Sequence, residues 1–199
     1  MGPIEGLWLV LANVFVILGG IRGFLKELGL TTVMIVWLFA MDQMIPRLED
    51  SIRQPESVLS RIGITEATRD TPLWLLFTLG TLLVVYIAYH GETLAFAGKP
   101  PKGMLGTLLG VLIGAINGYL VCGTLWWILN RYNYPIRSLG LFIDYDAANG
   151  LALTPDANSF VNVLKLLPPD LLGQGVDTAQ LQGVLPLLVI TMILLRVVR

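Results

Sequence analysis

The chain has 199 residues, 55% of them hydrophobic and only 14% charged, with a mean hydropathy of +0.73, whereas a soluble domain carries about 25% charged residues. Its formal net charge of −1 gives no reason to expect a nucleic-acid partner or an acidic substrate. Cys122 is the one cysteine and His90 the one histidine, which excludes an intramolecular disulfide, a cysteine-based metal cluster and a histidine triad.

The apolar residues fall in long charge-free intervals, and a helix rising about 1.5 Å per residue needs about 20 of them to cross hydrocarbon. The fold class read from this is all-α: a single membrane domain over 1–199, a polytopic transmembrane bundle of four to five helices with an irregular external segment. The first helix is expected at 4–21; it lacks the basic n-region and small-residue cleavage site of a signal peptide, so it is read as a retained span. The second is expected at 28–45, with Asp42 and Gln43 at the interface and Pro46 as its stop. The third, 71–89, opens on Pro72, which suits a first helical turn. The fourth, 103–130, contains no charged residue and follows a rigid basic approach, Lys99-Pro100-Pro101-Lys102. A fifth is expected at 183–198, with an interfacial helix as its alternative because Gln182 and Pro186 interrupt the apolar pattern.

Two hydrophilic segments, 47–70 and 131–177, separate these helices. The second is rich in Gly, Pro, Asn and Asp, which favour turns, and within it residues 159–167 can form a short amphipathic helix closed by Pro168 and Pro169. Asp144, Asp146, Asn149 and Gly150 fit a calcium loop poorly and read as an Asx-rich turn.

With alternating spans, one side receives six basic residues (Arg22, Lys26, Lys99, Lys102, Arg196 and Arg199) in short segments against the acids Glu27 and Glu92. The other receives seven basic and twelve acidic residues, all but Glu5 and Asp42 in the long segments. Basic short loops mark the cytoplasmic side, so the N-terminus is expected outside and, if 183–198 spans, the C-terminus inside. Trp8, Trp74, Trp126, Trp127, Tyr132 and Tyr134 then fall at the outer ends of their helices, as an interfacial aromatic belt.

Three patterns single out residues. Gly106, Gly110, Gly114 and Gly118 recur every fourth position on one helix face and admit a close backbone, either from within the chain or from a second copy or membrane partner. Arg22, Gly23, Phe24, Lys26 and Glu27 stand, with Leu25, in a six-residue turn between the first two helices; charge so near hydrocarbon is costly unless paired or snorkelling. Asn13 and Asn117 lie inside spans, where an amide is expected to hydrogen-bond across helices.

The run Ile21-Arg22-Gly23-Phe24-Leu25-Lys26-Glu27-Leu28 after a first apolar helix, with Gly110, Gly114, Asn117 and Gly118 later, resembles the colicin V production protein family of bacterial inner-membrane proteins over 7–129. Position 117 departs from it, an amide standing where the family often carries a basic residue just before the last glycine. The resemblance implies a plasma-membrane protein linked to toxin production or export and to envelope homeostasis, and transfers no cofactor and no catalytic residue. No nucleophile-base pair or metal cluster is apparent, so the expectation is a non-enzymatic protein without a cofactor, whose partners are the lipid bilayer and a second copy or membrane protein at the 103–130 glycine face. The alternatives are a small oligomeric channel or transporter, and an accessory subunit of a larger membrane complex.

Overall fold

The computed structural model describes residues 3–54, 61, 63–65, 68–90, 103–132, 134–135 and 167–169, with side chains from position 7 onward. The expected fifth helix at 183–198, the Asp144 to Gly150 turn, Glu92 and all but a few residues of 131–177 lie outside the described residues. The described chain is all-helical: α1 (Pro3–Arg22), α2 (Phe24–Arg53), α3 (Asp70–His90) and α4 (Met104–Arg131). Three of these, α2, α3 and α4, are each long and apolar enough to cross a membrane, and Leu7–Arg22 of α1 is also apolar.

α4 is the hub. Gly110, Gly114, Asn117, Gly118 and most positions from Leu120 to Leu129 are buried. Its main partner is α1, which runs antiparallel along the glycine face. A Cβ on Gly114 would come 2.9 Å from the Gly19 Cα, and one on Gly118 would come 2.7 Å from the Ala12 carbonyl oxygen. Gly19 and Gly110 each face the other's carbonyl oxygen, so neither position has room for a side chain. Backbones this close gain van der Waals contact that bulkier residues would prevent, and such contact is the main cohesive force between helices in lipid. The glycine pattern is thus occupied within the chain from Gly110 to Gly118, while Gly106, one turn earlier, is half-buried.

The structure alters two helix boundaries. The expected six-residue turn between the first two helices is a single residue, Gly23, at φ 85° and ψ 161°. That backbone is strained for any residue with a Cβ. Gly23 N–H donates to the Gly19 carbonyl at 3.0 Å and the Gly23 carbonyl accepts from Glu27 N–H at 3.3 Å, so one residue closes α1 and opens α2. Lys26 and Glu27 therefore belong to the first turn of α2.

Pro46 does not stop α2, which continues through it to Arg53. A proline inside a helix forfeits one backbone hydrogen bond, at a cost of about 3 kcal/mol. Burial on both sides of it offsets that loss: Ile45 and Ile52 join Leu73, Phe77, Trp126, Trp127, Ile128 and Tyr132 in one cluster, with Leu48 against it. The Glu49 carboxylate also receives a forked pair from Arg131, with Nη2 to Oε1 at 3.1 Å and to Oε2 at 3.2 Å.

The aromatic residues at this end are a core rather than a headgroup belt. Trp126, Trp127, Tyr132 and Tyr134 are buried, Trp8 meets Trp126 at a ring separation of 6.0 Å, and Phe77 stacks on Tyr132 at 6.2 Å. Leu167 is buried in the same cluster and Pro168 packs on Gly123. The backbone is helical at Pro168 and Pro169, and the expected helix at 159–167 lies, but for Leu167, outside the described residues. Between α2 and α3, Trp37 Nε1 donates to Thr81 Oγ1 at 2.9 Å, and its ring lies over Gly80.

Two outcomes test this packing. Gly114→Leu is expected to abolish a monodisperse detergent-solubilised species, because the new side chain forces α1 off the glycine face and forfeits that contact; an unchanged yield and elution profile would contradict the seam. Pro46→Ala is expected to stabilise the protein by about 1–3 kcal/mol by restoring the missing helical bond, read as a raised Tm; a lowered Tm would show that the ring is needed for packing.

Candidate functional site

The residues of the first turn of α2 assemble a buried polar cluster that draws on all four helices. Glu27 follows Gly23 by one helical turn, and its side chain is fully buried. A carboxylate in that position is tolerated only with charge and hydrogen-bond partners. Arg22, the last residue of α1, lies 3.0 Å away through Nη1 to Glu27 Oε1. The one-residue turn at Gly23 is what places these two side chains together across a five-residue separation.

Arg22 also ties α3. Its Nη2 donates to the Tyr89 carbonyl at 3.2 Å, and its guanidinium carbon lies 3.9 Å from the centre of the Tyr89 ring. Tyr89 lies in the last described turn of α3, where a cation is favoured by the helix dipole. Glu27, in the first turn of α2, is on the favoured side of that helix's dipole as well.

Asn117 brings in α4. Its Nδ2 donates to Glu27 Oε2 at 2.8 Å and to the Glu27 backbone carbonyl at 2.9 Å. Its Oδ1 accepts from Thr31 Oγ1 at 2.7 Å. Both amide N–H groups and the carbonyl are thereby engaged, which fixes the side chain's orientation. Thr31 stands one turn beyond Glu27 on α2, its hydroxyl also 3.1 Å from the Glu27 carbonyl oxygen. The amide departure at position 117 is therefore compatible with the site: a neutral donor is sufficient where Arg22 already supplies the positive charge.

The residues singled out in the sequence divide clearly. Arg22, Gly23, Glu27 and Asn117 come together; Phe24 is half-buried, and Lys26 is exposed. Asn13 does not bond across helices. Its Nδ2 donates to the Leu9 carbonyl of its own helix at 2.8 Å, on an exposed face. His90 Nδ1 lies 3.1 Å from the Tyr86 carbonyl and its ring 4.0 Å from the Tyr86 ring. Thr31 and Tyr89 escaped the sequence reading. Thr31 carried a usable signal, being four residues after Glu27 and so on the same helix face, whereas Tyr89 had none, because its part is played by a backbone carbonyl 67 positions from Arg22.

This arrangement holds helices; among the described residues no group of three or more His, Cys, Asp or Glu could hold a metal ion. The family model for the colicin V production protein matches residues 4–139, more than half of the chain and all four helices. The chain belongs to the colicin V production protein family. No curated protein and no solved structure matches it. In this member of the colicin V production protein family, the match includes every residue of the Arg22, Glu27, Thr31, Tyr89 and Asn117 cluster and ends before the Leu167 to Pro169 contact.

Removing one member of a buried charged pair strands the other. Glu27→Ala is expected to cost about 3–5 kcal/mol, because it leaves Arg22 without its carboxylate and Asn117 without one of its two acceptors. Asn117→Leu should cost less, about 1–3 kcal/mol, through unmade hydrogen bonds to Glu27 and Thr31. Unfolding in a graded detergent mixture would rank the two; equal or reversed losses would show that the cluster is not organised around Glu27.

Proposed function

We propose that this protein is a non-enzymatic helix bundle of the bacterial inner membrane that assists toxin production or export and maintains the envelope. The cytoplasmic side is assigned to the Gly23 turn and the periplasmic side to the tryptophan-rich end, with the N-terminus outside. Membership of the colicin V production protein family supports the process. The concentration of basic residues in the short segments supports the orientation.

The observation that carries the reading is the buried Arg22, Glu27 and Asn117 cluster at one helical turn from Gly23. Every polar arm in it is directed at another helix of the same chain, which suits a rigid element presented to a membrane process better than a reactive centre. Lys26, beside this cluster, is an exposed charged group at that face.

A deletion strain of the host, complemented with plasmid-borne variants, tests the assignment. Loss of the protein is expected to reduce secreted toxin activity or envelope integrity. Wild type should restore both, Glu27→Ala should restore neither, and Leu108→Ala on an exposed face should behave as wild type. Indistinguishable toxin secretion and envelope integrity with and without the protein would defeat the proposal.

A further inference from the structure

The glycine face of α4 is filled by α1, and the opposite face of α1 is exposed. That face is apolar at Val10, Val14, Ile17 and Ile21, with relative exposures of 63%, 44%, 62% and 76%. The 3-4 spacing of Val10, Asn13 and Ile17 is the repeat of a left-handed helix pair, with Val14 and Ile21 along its edge. Asn13 is its polar member, exposed and in the middle of a 20-residue helix. It is there that hydrocarbon is deepest, and an amide directed into lipid is at its least favourable.

The hydrogen-bond count identifies what Asn13 lacks. One amide N–H donates to the Leu9 carbonyl, which leaves one N–H and the amide oxygen unused among the described residues. A single donor beside a single acceptor is self-complementary under a two-fold rotation. In the membrane, two copies of one chain share the same topology, so their α1 helices meet in parallel when the axis is normal to the bilayer. Residue 13 of one copy then lies opposite residue 13 of the other.

We infer that the protein forms a two-fold homodimer through the outer face of α1, with the Asn13 amides of two copies exchanging hydrogen bonds at the bilayer centre. Each N–H meets the other copy's amide oxygen, and Val10 and Ile17 pack above and below the pair. A polar residue at one position of an apolar helix seam also fixes its register. Interhelical amide bonds in membranes are modest in strength, so the apolar flanks supply much of the contact and the amide the specificity.

The test uses the full-length chain in native membranes and in lipid nanodiscs. Val10→Cys and Ile17→Cys are expected to form disulfide-linked dimers on mild oxidation, and Leu108→Cys, on the exposed face of α4, is expected to remain monomeric. The wild type should give no link, its Cys122 being buried. Intact mass in nanodiscs should show a dimer. Asn13→Leu, which cannot disturb the glycine seam, should weaken dimerisation by about tenfold, and Asn13→Gln should recover part of the loss. A monomeric mass, equal cross-linking at positions 10, 17 and 108, a different protein bound in place of the second copy, or an Asn13→Leu dimer as tight as wild type would each overturn the inference.

Discussion

The bundle depends on the neutralisation of one buried carboxylate. Glu27 is the single described acid with a fully buried side chain, and its two oxygens are taken by Arg22 of α1 and Asn117 of α4, while Arg22 reaches on to the end of α3. In a low-dielectric interior such a group is tolerated only if each partner arrives in register, so it rejects helix arrangements that apolar packing alone would accept. Lipid-facing helices have few other means of choosing a register, because hydrocarbon does not distinguish one leucine from the next.

The second constraint is the absence of side chains. Where α1 crosses α4, Gly19, Gly110, Gly114 and Gly118 let backbone touch backbone, and the gain is dispersion contact that grows steeply as the helices approach. The glycine seam sets the distance between α1 and α4, and the polar cluster sets their register. Gly23 links the two, because its backbone conformation delivers Arg22 and Glu27 to the same point. At the opposite end a third device operates, an aromatic core with the Glu49 and Arg131 pair at its edge, which carries α2 past Pro46.

These devices have a functional corollary. The chain directs Arg22, Glu27 and Asn117 inward and leaves outer faces of α1 and α3 apolar, while Lys26, Asp50 and Arg53 are exposed near the ends of α2. Asn13 is the exception on the outer face of α1, and its amide has the valence of a contact rather than of a ligand site.

The membrane class, the four described helices and the residues of the polar cluster were largely legible in the sequence, because they rest on local quantities. A long charge-free interval favours a helix in hydrocarbon, glycines four apart lie on one face, and a charge at a helix end demands a partner. Glu27 and Asn117 were visible as residues needing partners, but not as each other's partner, since 90 positions separate them. Pro46 was misread as a stop because local propensity was weighed without the cluster that holds Ile45, Leu48 and Ile52. The tryptophans read as a belt because composition cannot tell an interface from a core at the same depth. What the sequence determined by itself was thus which segments enter lipid and which side chains could not remain there alone. Only the tertiary structure decided which helix fills the glycine face, how short the turn at Gly23 is and which amide meets the carboxylate, because those outcomes depend on distances between segments that no local pattern encodes.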